Sequence, residues 1–438
     1  MRKGRLKHLH IMKKKLTFQL QKIQKQLDII SVAFKKNMAA GNYAQAAVEA
    51  MRAHKLIPAS VTPLSDAATA AVKAGLFQDA IVYAKKAIRR DAEHINSYDA
   101  LSHAYGGLED WGNAAVYGLK ALQLRDQKVA GQAAPKLPSV TPKADGKKII
   151  SFSLFGSSSA YIEPAVLNTE LASEIYPGWM CRFYVDDSVP ESARKRMAQN
   201  GAEIVRVSSG QAQWPGTLWR FLAINDPDAS YVIFRDADSV ISQREAQAVA
   251  EWIESGKLFH TIRDAGTHTE LILAGLWGAV GQAVPDMANK IQNYLHQPLE
   301  SRHFADQFFL RDHIWAYVRQ SVYGHDRIFS FYGAQKFTDT QMQDFKDNHI
   351  GCDEGSSHFE APYPLPDGSP VIWKLYSKVS PRLQADGSIQ TLSEERLICV
   401  YETAVQNGKI SGYIPRRYSK GFAQRLSRMV VVPVGTQA

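Results

Sequence analysis

Apolar positions in the first 130 residues recur every three or four positions, which predicts a run of amphipathic helices. One stripe can be followed along the N-terminal segment: Leu6, Leu9, Met12, Leu16, Leu20, Ile23 and Leu27. From about residue 147 the pattern changes, because short apolar runs alternate with helical segments. Strands that alternate with helices predict a largely parallel, doubly wound sheet, which binds ligands at the carboxyl ends of its strands.

The predicted elements of this second region follow one another closely. Strands are expected at 148–155, 181–185, 202–207 and 231–234, and helices at 167–175, 192–200 and 218–224. Residues 129–146 carry Pro135, Pro138 and Pro142 without helical periodicity, and this composition predicts a linker. No motif indicates a structure for residues 341–438, which we treat as a C-terminal extension that borders the acceptor side.

The helical region repeats itself with a fixed period. Two sets of residues are spaced by 34 positions: Tyr43, Phe77 and Trp111, and Ala46, Ala80 and Ala114. This period is typical of tetratricopeptide repeats, in which small residues allow two helices to approach and an aromatic fills the space between them. Residues 27–128 therefore resemble an array of three such repeats. The proline expected near each repeat end is matched by Pro58 but not by Ala92 or Asp126.

Positive charge is concentrated at the N-terminus, although the whole chain carries a net charge of only +9. Residues 1–26 are expected to form a basic amphipathic helix. Such a helix either lies on anionic lipid or packs on the repeats with its lysines in solvent, and both interpretations stay open. Nucleic acid is a weaker option, because the basic run lacks interleaved aromatics.

Composition restricts the cellular compartment. Cys181, Cys352 and Cys399 are too scattered for a disulfide framework or a zinc ribbon, which favours a reducing compartment. No apolar run is long enough to span a bilayer, and the basic start is not followed by a secretory signal. We therefore expect a cytoplasmic protein, with peripheral contact at the inner face of the membrane as the alternative.

Candidate chemistry lies just after the fourth predicted strand, at Asp236-Ala237-Asp238. Two carboxylates separated by one residue can present oxygens to one hard divalent cation such as Mn²⁺ or Mg²⁺. That ion would hold a diphosphate and stabilise the charge that develops on it as a leaving group. The chain also contains Asp226-Pro227-Asp228, which falls in a turn before the strand and serves as an internal control.

Five sequence blocks around this motif occur in an order that resembles a known family. They are 219–223, 232–239, 259–264, 273–278 and 306–310, which include Trp219-Arg220-Phe221 and Arg235-Asp236-Ala237-Asp238-Ser239. In this order they resemble a bacterial group of nucleotide-sugar glycosyltransferases of the GT-A type. The resemblance implies a GT-A-like doubly wound domain over residues 147–340, a nucleotide-sugar donor and a bound Mn²⁺ or Mg²⁺.

The same resemblance implies roles for individual residues. Arg220 and the Ala274-Gly275 pair would contact the donor. Apart from the resemblance, Arg263 belongs to a polar cluster with His260, Asp264 and His268 that either lines the donor or acceptor pocket or is solvated loop polarity. Asp306 would be the catalytic acidic group, either as acceptor base or as a ligand to sugar hydroxyls. His325 would be a third metal ligand, although the family pattern of glycine, lysine and tryptophan around it is missing. Each residue also has a structural interpretation: a surface ion pair, a close strand contact, a helix cap or a buried histidine.

The sequence thus predicts a metal-dependent transferase that moves a sugar to a surface polysaccharide, a lipid-linked glycan or a protein. The repeats would recruit the acceptor or a protein partner. The alternative is a tetratricopeptide scaffold whose transferase-like domain is inactive. Phosphate loops of the Walker and Rossmann types and a Gly-x-Ser-x-Gly elbow are missing from the sequence, which argues against kinases, dehydrogenases and hydrolases.

Overall fold

A computed structural model of the protein describes residues 2–338 and 348–435. The chain divides into two compact units. The first is Met1–Lys128 with Gly266–Thr269, and the second is Val129–Ala265 with Glu270–Ala438. The predicted boundary between residues 340 and 341 lies outside the described residues.

The first unit is a series of helical hairpins. Its helices are α1 (Arg2–Ala39), α2 (Tyr43–Leu56), α3 (Thr62–Lys73), α4 (Phe77–Ile88), α5 (Ile95–Gly107) and α6 (Trp111–Ala130). Each helix from α1 to α4 packs on the next, and Tyr98 of α5 packs against Ala121 and Leu124 of α6. The prediction of helical repeats is therefore confirmed. The expected basic helix does not end near residue 26, because α1 continues through the first half of the first repeat.

The turn before the second helix of each hairpin has the same conformation. Gly41, Gly75 and Glu109 are spaced by 34 residues and have φ values of 73°, 72° and 59°. A left-handed backbone is easily adopted by glycine but is strained for a residue with a Cβ. The third turn therefore contains a backbone strain that the first two avoid.

Replacing Glu109 with glycine should stabilise the helical unit. Because the native φ is positive, we expect Glu109→Gly to raise the free energy of unfolding by about 1 kcal/mol. Calorimetry of the full-length protein would show a higher midpoint for the transition of this unit. Glu93→Gly is the matched control, since Glu93 is exposed and is not among the positive-φ residues, so its loss should not stabilise. Equal effects of the two changes would contradict the strain at Glu109.

The second unit contains a seven-stranded sheet covered by helices. Its strands are β1 (Lys147–Leu154), β2 (Trp179–Val185), β3 (Glu203–Arg206), β4 (Ala229–Arg235), β5 (Phe259–Arg263), β6 (Trp277–Val280) and β7 (Val322–Asp326). Its helices are α7 (Ser159–Ile175), α8 (Glu191–Gln199), α9 (Gln243–Ser255), α10 (Met287–Leu295), α11 (Ala305–Phe309) and α12 (Trp315–Val318). The first four predicted strands agree with β1–β4 to within two residues at each end.

The strand order is β3-β2-β1-β4-β6-β5-β7. All neighbours run parallel except β6, which is antiparallel to both β4 and β5. The sheet is thus mixed rather than uniformly parallel. Its order along the chain reverses at β1, because β2 lies on one side of β1 and β4 on the other. Stacked aromatic pairs fill its faces, including Phe152 on Phe183 and Phe234 on Trp277, whose centroids are 4.6 and 4.2 Å apart.

The helix predicted at 218–224 is a 3₁₀ helix that spans Gly216–Asn225. Its backbone is held from outside. The N–H of Arg220 donates to Ser153 Oγ at 2.9 Å, and Ser151 Oγ donates to the carbonyl of Arg220 at 2.8 Å. In an α-helix, the backbone N–H and C=O of Arg220 would pair with other backbone groups of the same helix. Here both bind side chains of β1, which holds the 3₁₀ helix and its Arg220 against the sheet.

The C-terminal residues form β-structure that belongs to the second unit. Strands β9 (Pro370–Leu383), β10 (Ile389–Ala404) and β12 (Ser427–Pro433) make an antiparallel sheet, and β8 (Ser357–Pro362) pairs with β11 (Lys409–Ile414). Helix α13 (Arg416–Ala423) packs on β9. Trp373, Leu375 and Tyr418 lie in the core of this region.

None of the helices in residues 2–338 and 348–435 is long and apolar enough to cross a membrane.

Candidate functional site

The two predicted carboxylates lie at the point where the strand order reverses. Asp236 and Asp238 follow the last residue of β4, and β4 pairs with β1 in parallel. In open α/β sheets, ligands bind outside the carboxyl ends of the two strands that meet at such a reversal. The structure therefore brings the Asp-Ala-Asp motif to the position where this class of sheet binds its ligand. The control residues Asp226 and Asp228 precede β4, at its opposite end.

A buried asparagine holds the turn that carries the motif. Asn168 of α7 is fully buried, its Nδ2 donates to the carbonyl of Ser239 at 2.8 Å, and its Oδ1 accepts the N–H of Ile241 at 2.9 Å. Ser239 Oγ in turn donates to the carbonyl of Asp236 at 3.2 Å. Asn168 was not predicted from the sequence. Its signal is a polar residue inside an apolar stretch of helix, because a buried polar group needs hydrogen-bond partners.

Arg220 bridges two of the predicted site residues. Its Nη1 lies 2.5 Å from Asp236 Oδ1, and its Nη2 lies 2.8 Å from Asp306 Oδ2. Nη1 also donates to the carbonyl of Arg235 at 3.1 Å. Arg220 is 2% exposed, whereas the side chain of Asp236 is 50% exposed. Arg220 is therefore not in a surface ion pair, which was the structural alternative for this residue. It forms a buried bridge that fixes the orientation of Asp236.

Asp306 and the following glutamine attach a second loop to the site. Burial raises the pKa of Asp306, and the charge of Arg220 opposes that rise. Asp306 Oδ1 accepts the N–H of Gln307, whose side chain accepts from the N–H of Ala274 at 2.6 Å and donates to the carbonyl of Ile272 at 2.9 Å. The Asp-Gln pair at the start of α11 therefore fixes the backbone beside Gly275.

Gly275 lies directly against the first motif carboxylate. A Cβ built on Gly275 would lie 2.0 Å from Asp236 Oδ2 and 2.9 Å from the Asp236 backbone nitrogen. Only a residue without a side chain allows this approach. The structure thus brings Gly275, Asp236, Arg220 and Asp306 into one connected group.

A methyl group at Gly275 should displace the Asp236 carboxylate. We expect Gly275→Ala to lower the free energy of unfolding by roughly 1–3 kcal/mol, the usual cost of overpacking a fixed contact. Gly210→Ala is the matched control, because a Cβ there would meet nothing within 4 Å. Chemical unfolding of both variants measures the difference. If the two curves coincide, the contact between Gly275 and Asp236 is not rigid.

The second motif carboxylate lies in a cluster of acidic groups. Burial and the charges of Asp236 and Asp353 raise the pKa of Asp238 to about 7. Burial also raises the pKa of Asp353 itself and that of the neighbouring Tyr161 hydroxyl. The backbone N–H of Glu354 donates to the carbonyl of Asp238 at 2.8 Å. The C-terminal residues therefore contribute the charge of Asp353 and a backbone contact to this site, and neither was predicted.

His325 is not brought to the motif. Its Nε2 lies 2.9 Å from Glu251 Oε2, and its Nδ1 lies 2.9 Å from His260 Nε2. Burial lowers the pKa values of both histidines, so both are neutral at pH 7. In the part of the chain that the structure describes, no three His, Cys, Asp or Glu residues are grouped so that they could hold a metal. Asp236 and Asp238 would therefore need oxygens from water or from a bound ligand to complete a coordination sphere.

Arg263 is engaged by the backbone of the loop that follows it. Its Nε and Nη2 donate to the carbonyl of Glu270 at 3.2 and 3.1 Å, and Nη2 also donates to the carbonyl of Leu271. Burial lowers the pKa of Arg263 to about 10. The side chain predicted to bind the donor thus fixes the start of the segment that ends at Gly275.

The solved structures compared with this chain below are distant likenesses. The sequence matches no protein-family model and no curated protein. Among solved structures, the TPR2AB domain of yeast Sti1 in its pHSP90 complex is 18% identical, with a TM-score of 0.23, and the alignment covers 24% of this chain and 40% of that one. The TPR domain of Arabidopsis OM64 is 22% identical, with a TM-score of 0.23 and coverages of 24% and 87%.

A further likeness extends over more of the chain. A mutant O-GlcNAc transferase of Thermobaculum terrenum is 11% identical, with a TM-score of 0.27, and the alignment covers 49% of this chain and 46% of that one. The chain thus spans less than half of the yeast structure and of the transferase. TM-scores this low do not establish a common fold, so the site has to be interpreted from its own geometry.

A cavity of about 580 Å³ lies away from the motif. Its wall includes Lys148, Trp179, Gln243 and Glu254, and none of its lining residues is a predicted site residue. Lys148 is near the start of β1, whereas Asp236 follows the end of the parallel neighbour β4. The presence of this cavity therefore does not identify the functional site, for which the paired carboxylates are the better indicator.

Proposed function

We propose that this chain is a glycosyltransferase of the GT-A type that uses a nucleotide-sugar donor and Mn²⁺ or Mg²⁺. The observation that carries the proposal is the position of Asp236 and Asp238 at the carboxyl end of β4, beside the reversal at β1, with the Arg220 bridge behind them. Burial and, after it, the charges of Asp236 and Asp353 raise the pKa of Asp238, and a divalent cation bound beside these carboxylates would offset their repulsion.

The roles of the protein residues follow from their contacts. Asp238 and the exposed side of Asp236 would hold the cation, which when bound neutralises the diphosphate leaving group. Arg220 orients Asp236 through its ion pair. The two oxygens of Asp306 already accept from Arg220 and from the N–H of Gln307, which favours a positioning role or a hydroxyl ligand over an acceptor base. The backbone of Ala274-Gly275 would form the wall nearest the donor.

The pH dependence of donor binding gives a direct check. Because the pKa of Asp238 is raised to about 7, a proton competes with the cation below that pH. We expect the Mn²⁺-dependent affinity for donor to fall about tenfold per pH unit below 7 and to level off above pH 8. Calorimetric titrations between pH 5.5 and 8.5 measure it. A flat profile would remove Asp238 from the metal site.

A panel of nucleotide sugars tests the proposal as a whole. Incubation of the full-length protein with each donor and Mn²⁺ should release a nucleoside diphosphate from at least one of them, and a chelator should stop the release. The alternative function is a tetratricopeptide scaffold with an inactive transferase-like domain. No donor bound and none cleaved, with or without metal, would favour that alternative.

Two further parts of the proposal concern partners and location. The helical unit would recruit a protein partner or the acceptor, which is a surface polysaccharide, a lipid-linked glycan or a protein. The three cysteines are free thiols, with Cys181 and Cys399 buried, which supports a reducing, cytoplasmic compartment.

A further inference from the structure

Helix α1 is much longer than the helix it packs on. It has 38 residues and extends over about 57 Å, whereas α2 has 14 residues and extends over about 21 Å. The packed side of α1 is formed by Ile23, Leu27, Ile30 and Phe34, of which Ile30 is fully buried and the others are half-buried. These positions are spaced by four, three and four residues, so they lie on one face.

The opposite face of α1 is exposed and has its own regular pattern. Phe18, Lys22, Lys25, Ile29, Val32 and Lys36 are all exposed and are spaced alternately by four and three residues. Phe18 is 70% exposed, Ile29 61% and Val32 68%. Large apolar side chains are seldom left on one helical face in contact with water, so this face calls for a partner.

Charge identifies the kind of partner. Residues 2–36 contain eleven lysines and arginines and one acid, Asp28. This excess is larger than the net charge of +9 of the whole chain, so the remaining residues are nearly neutral together. A second copy of α1 is a poor partner, because the lysines of the two exposed faces would repel each other. An anionic lipid surface suits both the apolar side chains and the lysines of this face. The apolar side chains enter the surface, and the lysines reach its charged groups.

We propose that the exposed face of α1, residues 18–36, binds the anionic headgroup region of a lipid bilayer. The helix lies in the plane of the surface, with Phe18, Ile29 and Val32 below the headgroups and Lys22, Lys25 and Lys36 among the phosphates and carboxylates. Each lysine strengthens binding about fivefold. This proposal is independent of the proposed catalytic function.

Vesicle binding by the full-length protein tests the proposal. Vesicles of phosphatidylcholine with 30% phosphatidylserine should bind it, and vesicles of phosphatidylcholine alone should not. The triple variant Lys22→Gln, Lys25→Gln, Lys36→Gln should bind roughly 100-fold more weakly, and salt at 0.5 M should abolish wild-type binding. The control triple Lys55→Gln, Lys86→Gln, Arg89→Gln makes the same change of charge on α2, on α4 and at the residue after α4, and should bind like the wild type.

A second pair of variants tests the apolar side chains. Ile29→Ser should weaken vesicle binding about tenfold, whereas Val116→Ser on α6, where valine is 64% exposed, should leave it unchanged. Circular dichroism would confirm that all variants are folded. Equal losses for either variant and its control would overturn the assignment of this face. A concentration-dependent dimer in sedimentation, lost in the α1 triple variant and accompanied by no vesicle binding, would instead identify a second copy as the partner.

Discussion

Asp238→Asn should remove metal-dependent donor binding while leaving the protein folded. An amide keeps the size of the side chain but loses the charge that a hard divalent ion requires, so we expect roughly a 100-fold loss of donor affinity in Mn²⁺. Without metal the same change should stabilise the protein. The folded-state pKa of Asp238 is raised, so its ionisation costs stability as pH rises from about 4 to 7.

The two effects of Asp238→Asn can be measured separately. Calorimetric titration with a nucleotide sugar gives the affinity, and thermal unfolding in a chelator at pH 8 gives the stability, where a gain of about 1 kcal/mol corresponds to roughly 2–4 °C. The control is Asp228→Asn. The side chain of Asp228 is exposed, and its ion pair with Lys147 Nζ is long, at 3.8 Å. This variant should change neither quantity. If the two variants bind donor alike, the metal site is wrong and the scaffold function gains support.

Arg220→Met should be the most destabilising single change at the site. Removing a buried guanidinium leaves Asp306 buried without its cation, and losing one partner of such a pair costs about 3–5 kcal/mol. The loss should be smaller at pH 5 than at pH 8, because burial already raises the pKa of Asp306 and protonation relieves the unpaired charge. Urea unfolding at the two pH values measures both effects.

Two comparisons isolate the bridge from general effects of removing an arginine. Arg206→Met breaks an exposed pair with Asp187 and should cost no more than about 1 kcal/mol. Adding Asp306→Asn to Arg220→Met should recover part of the lost stability, because no buried charge is then left without a partner. A double variant that is as unstable as the single one at pH 8 would show that packing, rather than charge, is what Arg220 contributes.

Local patterns predicted the parts of the fold that depend on neighbours in sequence. The 34-residue period gave the hairpins, and apolar runs gave β1–β4. The 3₁₀ helix at Gly216–Asn225 was predicted as an ordinary helix, because its geometry depends on Ser151 and Ser153, which belong to another strand. The C-terminal sheet was missed although its signal was present. Val371, Trp373 and Leu375 alternate with less buried residues along β9.

Site residues could be predicted from the sequence only where they belong to a recognisable motif. Arg220, Asp236, Gly275 and Asp306 lie in recognisable blocks, and the structure brings them together. Asn168 and Asp353 were missed because their contacts join positions far apart along the chain. His325 was chosen by sequence distance alone. The parallel pairing of β5 with β7 places it opposite Ile262, which explains its contact with His260 instead of the carboxylates.

The contact of Asp238 with Glu354 has a consequence for the order of events during protein synthesis. The carbonyl of Asp238 accepts a hydrogen bond from the N–H of Glu354, which is synthesised later. Glu354 in turn forms a buried ion pair with Arg417. About 180 residues separate Asp238 from Arg417, which a ribosome translates in roughly 10–40 s. During that interval a nascent chain contains the Asp-Ala-Asp motif but lacks the ion pair of Glu354 with Arg417 that holds the motif's partner in place. A ribosome that stops before residue 417 releases a chain with folded repeats and an incomplete site.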